Sequence, residues 1–143
     1  MKILFVGSNP SVRSETNTAF HGSTKSARIL DEWTKDIVGD KIYHNVSTVK
    51  TVDNRPLKVS EIKEGAYMLL LHIMQEKPDK IIALGKTAAK ALAFTNQAFL
   101  EMPHPSGRNR LLNDTKYVEQ KIKELAEFCA PASSSIDLPN SNN

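Results

Sequence analysis

Apolar positions along the chain fall into short continuous runs separated by stretches in which they recur every three or four residues. Lys2-Ile3-Leu4-Phe5-Val6 is followed by Gly7 and Pro10. So short and uniform an apolar run predicts a strand buried on both faces. Residues 8–24 are rich in Ser, Thr, Asn and Gly without a hydrophobic period, which predicts a long loop of the kind that carries function or is disordered. Over residues 23–38, Ile29, Leu30, Trp33 and Ile37 stand at helical spacing, with Gly39 as a stop. Residues 41–46 predict a second strand, and 48–59 are polar and turn-rich. Ser60 is the expected cap of a helix with the face Ile62, Ala66, Leu69, Leu70 and Ile73, and Glu61 and Glu64 lie near its positive end. Residues 80–84 predict a third strand ended by Gly85, 86–93 an Ala-rich helix, 97–102 a fourth strand and 103–113 a loop. Asp114 should cap a last helix with Val118, Ile122, Leu125 and Ala126 on one face. Beyond it, the Ser, Pro and Asn of residues 131–143 predict a disordered tail.

Four strands alternating with four helices predict a three-layer α/β/α fold on a four-stranded parallel sheet, with right-handed crossovers. Ligands of such sheets bind outside the carboxyl ends of the strands. Four polar segments fall there: Gly7-Ser8-Asn9-Pro10-Ser11, His44-Asn45, Gly85-Lys86, and His104-Pro105-Ser106-Gly107-Arg108-Asn109. Turns favour Gly, Pro and Asn in any case. Turn chemistry alone does not explain why two of these loops place a polar residue directly before a proline.

A length of 143 residues leaves room for one domain, taken as residues 1–130, and it is expected to act as a monomer. Forty per cent apolar and 24% charged residues are the composition of a soluble globular chain. The single cysteine excludes an internal disulfide, a four-cysteine cluster and a cysteine-rich zinc site. No apolar run is long enough for a membrane span, and the first residues enter a strand without a signal-peptide pattern. A reducing cytoplasm is the expected location. A net charge of +3 permits an anionic partner without requiring one.

The loop residues offer specific chemistry. Asn9 precedes Pro10, so its backbone is biased toward an extended shape. Its amide can orient a water or read a base edge, or simply close an Asx-turn. His104, also held before a proline, can act as acid or base or donate to a developing anion, or be an ordinary loop residue. Asn45 suits two-point recognition of a base and equally suits bridging two loops. Between residues 104 and 123 stand five Lys or Arg against Asp114 and Glu119, a run that fits either a solvated face or phosphate contact. Gly22-Ser23-Thr24-Lys25-Ser26 lacks the Gly-Lys-Ser/Thr order of a phosphate-binding loop. Histidines 21, 44, 72 and 104 have no paired metal-ligand spacing, and His72, in mid-helix, is expected to face solvent or a polar gap. No metal or other cofactor is expected.

Gly7-Ser8-Asn9-Pro10 resembles the first motif of the uracil-DNA glycosylase superfamily, and His104-Pro105-Ser106-Gly107-Arg108-Asn109 resembles its second. His44-Asn45 stands where the family places its base-reading asparagine, and the 81–86 segment resembles its third strand. Phe20 stands where family members stack an aromatic ring on the flipped base. The resemblance covers about residues 2–128 in the family's order. Asn9 with His-Pro-Ser-x-Arg-Asn is most similar to the single-strand-selective monofunctional branch. The Gly-x-Asn-Pro and Pro-Ser-Gly runs are also similar to the mismatch-specific branch. The chain departs from both in its shortness and in Ser11, which stands where they place a glycine.

The resemblance implies a DNA partner and hydrolysis of the glycosidic bond of a flipped uracil or 5-substituted uracil, since a base inside a duplex cannot be reached. It assigns Asn9 to the attacking water and His104 to the charge developing on O2. Ser8, Ser11, Phe20 and Asn45 would bind the base. Ser106, Gly107, Arg108, Asn109 and Arg110 would hold DNA, with Arg108 entering the vacated space. Two other classes remain: a DNA- or nucleotide-binding module that has lost catalysis, and a hydrolase or transferase of free nucleotides.

Overall fold

The computed structural model of the chain describes residues 1–8, 25–47, 56–106 and 109–130. Asn9, Ser11, Phe20, Gly107 and Arg108, the expected tail, and most of the two polar stretches lie outside the described residues.

The elements run β1 (Lys2–Gly7), α1 (Lys25–Thr34), β2 (Asp40–Asn45), α2 (Val59–Glu76), β3 (Lys80–Leu84), α3 (Lys86–Ala93), β4 (Leu100–Met102) and α4 (Thr115–Phe128), with a short 3-10 turn at Arg110–Asn113. The strands form one sheet in the order β2-β1-β3-β4, parallel throughout. Alternate strand residues feed opposite cores. Leu4, Val6, Ile81 and Ala83 pack with Ile62, Ala66, Leu69 and Ile73 of α2 and Ala88, Ala91 and Leu92 of α3. Ile3, Phe5, Ile82 and Leu84 pack with Leu30 and Trp33 of α1 and Leu125 of α4. The fold is thus three-layer α/β/α, with α2 and α3 on one face and α1 and α4 on the other.

Several boundaries differ from the sequence reading, each for a local reason. Helix α1 stops at Thr34 rather than at residue 38. The Thr34 hydroxyl donates to the Leu30 carbonyl, and the Ile37 amide and Lys41 Nζ donate to the Thr34 carbonyl, closing the turn early. Ser60 does not cap α2. The helix starts at Val59 with Lys58 as its cap, and Glu61 Oε1 accepts from the Lys58 amide at 2.7 Å. Lysine has no acceptor to return that bond, so only half of a capping box is formed. Strand β4 begins at Leu100, not at residue 97, because Asn96 takes φ 59° and ends the α3 turn, while the Thr95 hydroxyl donates to the Leu92 carbonyl. In α4 the inward face is Val118, Ile122 and Leu125, continued by Cys129 just past its end, and Ala126 is exposed. Asp114 caps α4 as expected, its Oδ1 accepting from the Tyr117 amide at 3.1 Å. Among the described residues no helix is long and apolar enough to cross a membrane.

Candidate functional site

The strand order places a topological switch between β1 and β3, since the chain leaves β1 toward β2 and leaves β3 toward β4. Beyond the carboxyl ends of these strands lies the crevice in which ligands of doubly wound sheets bind. Two pairs of strand ends frame it.

On one side, β1 and β2 stay paired past their last strand residues. Gly7 lies opposite Asn45 in the register. The Val46 amide then donates to the Gly7 carbonyl at 2.9 Å and the Ser47 amide to the Ser8 carbonyl at 3.0 Å. Backbone pairing thereby holds Ser8 and Asn45, both partly buried, on one rim. From behind, α2 clamps this end. A Cβ on Gly65 would lie 2.1 Å from the Val46 carbonyl oxygen, so only glycine lets the helix backbone come so close. A glycine inside a helix costs about 1 kcal/mol relative to alanine, which close packing here offsets. Sequence reading missed this residue. Its signal was a glycine on the buried side of an otherwise regular helix.

On the other side, the Gly85 amide donates to the Met102 carbonyl at 2.8 Å and ties the end of β3 to the end of β4. Gly85 has φ 97°, and a Cβ there would meet His104 Cβ at 3.1 Å. Its backbone favours glycine, and the His104 side chain packs closely over it. His104 stands between the buried Pro103 and Pro105. Its carbonyl accepts from the Ser106 amide at 2.8 Å and from Asn109 Nδ2 at 3.0 Å. Asn109 Oδ1 accepts in turn from the Leu111 amide at 3.1 Å and starts the 3-10 turn. The Asn109 side chain thus braces the His104 loop. Arg110, at the start of that turn, is exposed.

Burial lowers the His104 pKa below the ordinary imidazole value. The ring is therefore neutral near pH 7, with one nitrogen able to donate and the other to accept. Within low-dielectric surroundings a donor so held interacts strongly with negative charge that develops beside it.

His72 does not face solvent. Its ring stacks on His44, with centroids 4.6 Å apart and planes inclined by 22°, and its Nε2 is buried without a hydrogen-bond partner among the described residues. Burial, and then the neighbouring His72, lower the His44 pKa. Sequence spacing could not reveal this pair, because 28 residues and a change of element separate the two histidines. No group of three or more His, Cys, Asp or Glu suited to a metal occurs among the described residues.

Of the residues expected at the site, Ser8, Asn45, His104, Ser106, Asn109 and Arg110 are described, and all stand at or just beyond the carboxyl ends of the strands. Comparison with curated proteins gives no match. The family model described as the Uracil DNA glycosylase superfamily matches residues 1–126. With that match spanning all four strands and the crevice at their ends, the chain belongs to the uracil DNA glycosylase superfamily, whose members are hydrolases of glycosidic bonds in DNA.

Proposed function

We propose that the protein is a monofunctional DNA glycosylase that releases uracil or a 5-substituted uracil from DNA, of the single-strand-selective or mismatch-specific kind. The observation that carries this reading is the partly buried imidazole of His104, packed over Gly85 on the same rim as Ser8 and Asn45.

Cleaving the bond between the sugar and a pyrimidine pushes an electron pair into the ring, and negative charge grows on its carbonyl oxygens. A neutral imidazole can donate its N–H to O2 as that charge appears. Asn45 offers both a donor and an acceptor to the O4 and N3 edge, the pattern that identifies uracil. In the same reading Asn9 orients the water that takes the sugar carbon, and Phe20 stacks on the extruded base, worth about 1–3 kcal/mol. Arg108 fills the gap left in the duplex. Ser106, Gly107 and Arg110 meet the flanking phosphates. Ser11 is small, which leaves room at C5, and its hydroxyl can bond a polar group there. Uracil and 5-hydroxymethyluracil are then the substrates, and thymine is a poor one, because a hydrogen-bonding pocket discriminates strongly against an analogue that lacks the polar group.

Asn9 also favours a second reading. An amide is not a base, so the chain could bind DNA through the same rim and cleave slowly or not at all. One experiment separates the two. Oligonucleotides carrying single modified bases, in single and double strands, are incubated with the protein and scored for abasic sites. Base release from uracil and 5-hydroxymethyluracil is expected. Binding without release from any base selects the second reading.

A further inference from the structure

Between α1 and the start of α4 the surface opens into a groove of about 470 Å³. Ile29 and Trp33 of α1, Leu112 of the 3-10 turn and Val118 of α4 form an apolar floor, and Lys25 and Arg28 stand beside it. Glu32 also lines the groove, but its carboxylate is paired with Lys35 at 2.7 Å. Lys25 and Arg28 make no ion pair among the described residues. Two more cations, Arg110 and Lys116, belong to the elements that supply Leu112 and Val118.

In a parallel α/β sheet the helices run back against the strands, so α1 and α4 both begin at the carboxyl rim. Leu112 follows Asn109, which braces the His104 carbonyl. The groove therefore starts at the rim that carries the crevice and runs along α1 to Trp33, on the α1 and α4 face, and shares none of its lining with the residues assigned to the base. Its volume suits a small ligand or one unit of a polymer. Its composition asks for an apolar, flat body that carries an anion. Lys25 and Arg28, three residues apart, stand on one face of α1 and can converge on a single anionic group.

We propose that this groove is a second nucleotide-binding site. It holds one unpaired nucleotide of the bound strand, with the base on the Ile29, Leu112 and Val118 floor and the phosphate between Lys25 and Arg28. The choice of a nucleotide over another amphipathic anion rests on the DNA reading above. The groove and its charge do not.

Trp33 is the only tryptophan of the chain and lies in the floor, so its emission reports occupancy. The test titrates the full chain with uracil-free single-stranded oligothymidylate, a poor substrate in that reading, so that binding is read before base release contributes. A saturable change in Trp33 emission is expected. The double variant Lys25→Ala, Arg28→Ala should raise Kd about tenfold and lessen the slope of log K against log salt by about 0.7, the loss of one phosphate contact to a single strand. Both residues are exposed, and an unchanged thermal midpoint would confirm that the core is intact. Leu112→Ser should weaken oligothymidylate and leave inorganic phosphate unaffected. The proposal is overturned if labelled oligothymidylate binds by anisotropy while Trp33 emission stays still. It is overturned equally if inorganic phosphate or decanoate moves the emission as far at matched concentration. A chain that binds in this way but releases no base would retain the groove and lose the glycosylase reading.

Discussion

The two sides of the crevice are held by different physics. The Asn45 side is fixed by packing. Two strand ends stay hydrogen bonded, and a helix backbone closes on them through Gly65 with no side chain between. The His104 side is fixed by a few directed bonds in a loop: Gly85 beneath the ring, and Asn109 and the Ser106 amide on its carbonyl. Packing is shared by many atoms and fails only when the core fails. A loop held by three or four bonds can lose its geometry while the rest of the molecule stays folded. The Asn45 side is thus built into global stability, and the His104 side can be altered almost alone.

The most damaging test of this contrast is Gly65→Val. Its Cβ would fall 2.1 Å from a backbone oxygen and 2.6 Å from Val46 Cγ1, and neither α2 nor β2 can yield without opening the core they share. Overpacking costs about 1–3 kcal/mol where side chains can adjust, and a backbone obstacle should exceed about 3 kcal/mol. Urea unfolding measures it. A variant as stable as the parent would mean that α2 does not clamp the end of β2. His104→Ala should behave in the opposite way. Losing one donor to a developing anion costs about 10²–10³ in rate, or about 2.7–4 kcal/mol of barrier, while unfolding remains cooperative and DNA binding stays near normal. Single-turnover base release reads the rate. Full activity of the alanine variant would remove His104 from the reaction.

The same contrast explains what was legible in the sequence. Strands β1 and β3 were, because each is a short apolar run ended by glycine, whereas β2 and β4 mix polar and apolar residues and are fixed by pairing with those central strands. The rim positions of Ser8, Asn45 and His104 followed from strand ends and an alternating topology. What periodicity cannot see is a contact between elements far apart in the chain. Gly65 on Val46, His72 on His44 and Gly85 under His104 each join two elements. Boundaries differ where local bonds or a left-handed residue intervene: the Thr34 hydroxyl ends α1 early, and Asn96 delays the start of β4. The bracing role of Asn109 is not legible, because nothing in the sequence shows that its two amide atoms are turned back on the loop.

Asn109 sharpens the comparison with a smaller effect. Asn109→Ala removes the bond to the His104 carbonyl and the cap on the Leu111 amide, together worth about 1–2 kcal/mol. Asn109→Asp keeps an acceptor for Leu111 and loses only the donor to His104. The aspartate variant should therefore be closer to the parent in urea midpoint than the alanine variant, while both show a lower kcat with KM little changed. Equal stability loss in the two would place the whole effect in the donor bond. An unchanged kcat would mean that the brace does not set the ring.

The smallest expected effect is in pH. Both His44 and His104 have pKa values lowered in the folded chain, His104 by burial and His44 by burial and then by His72. Between those lowered values and the ordinary value near 6.5, the unfolded chain binds protons that the folded chain does not, so stability rises with pH across that window. It is fully present above about pH 6.5 and is lost as pH falls through the folded values, with a slope of at most about 1.4 kcal/mol per pH unit for each group. His72→Phe divides this slope between the two sides of the crevice. Phenylalanine keeps a ring against His44, removes the imidazole neighbour that lowers the His44 pKa, and replaces a buried Nε2 that lacks a partner among the described residues. At neutral pH the variant should be at least as stable as the parent, because an unpaired buried polar atom costs about 1–3 kcal/mol. In acid its slope should be shallower, since only desolvation then opposes the charge on His44, while the share due to His104 persists. Urea midpoints between pH 5 and 8 supply the measurement. If the variant has the parent's slope, the stacked pair does not couple to protonation, and the acid sensitivity belongs to the burial of His44 and His104 alone.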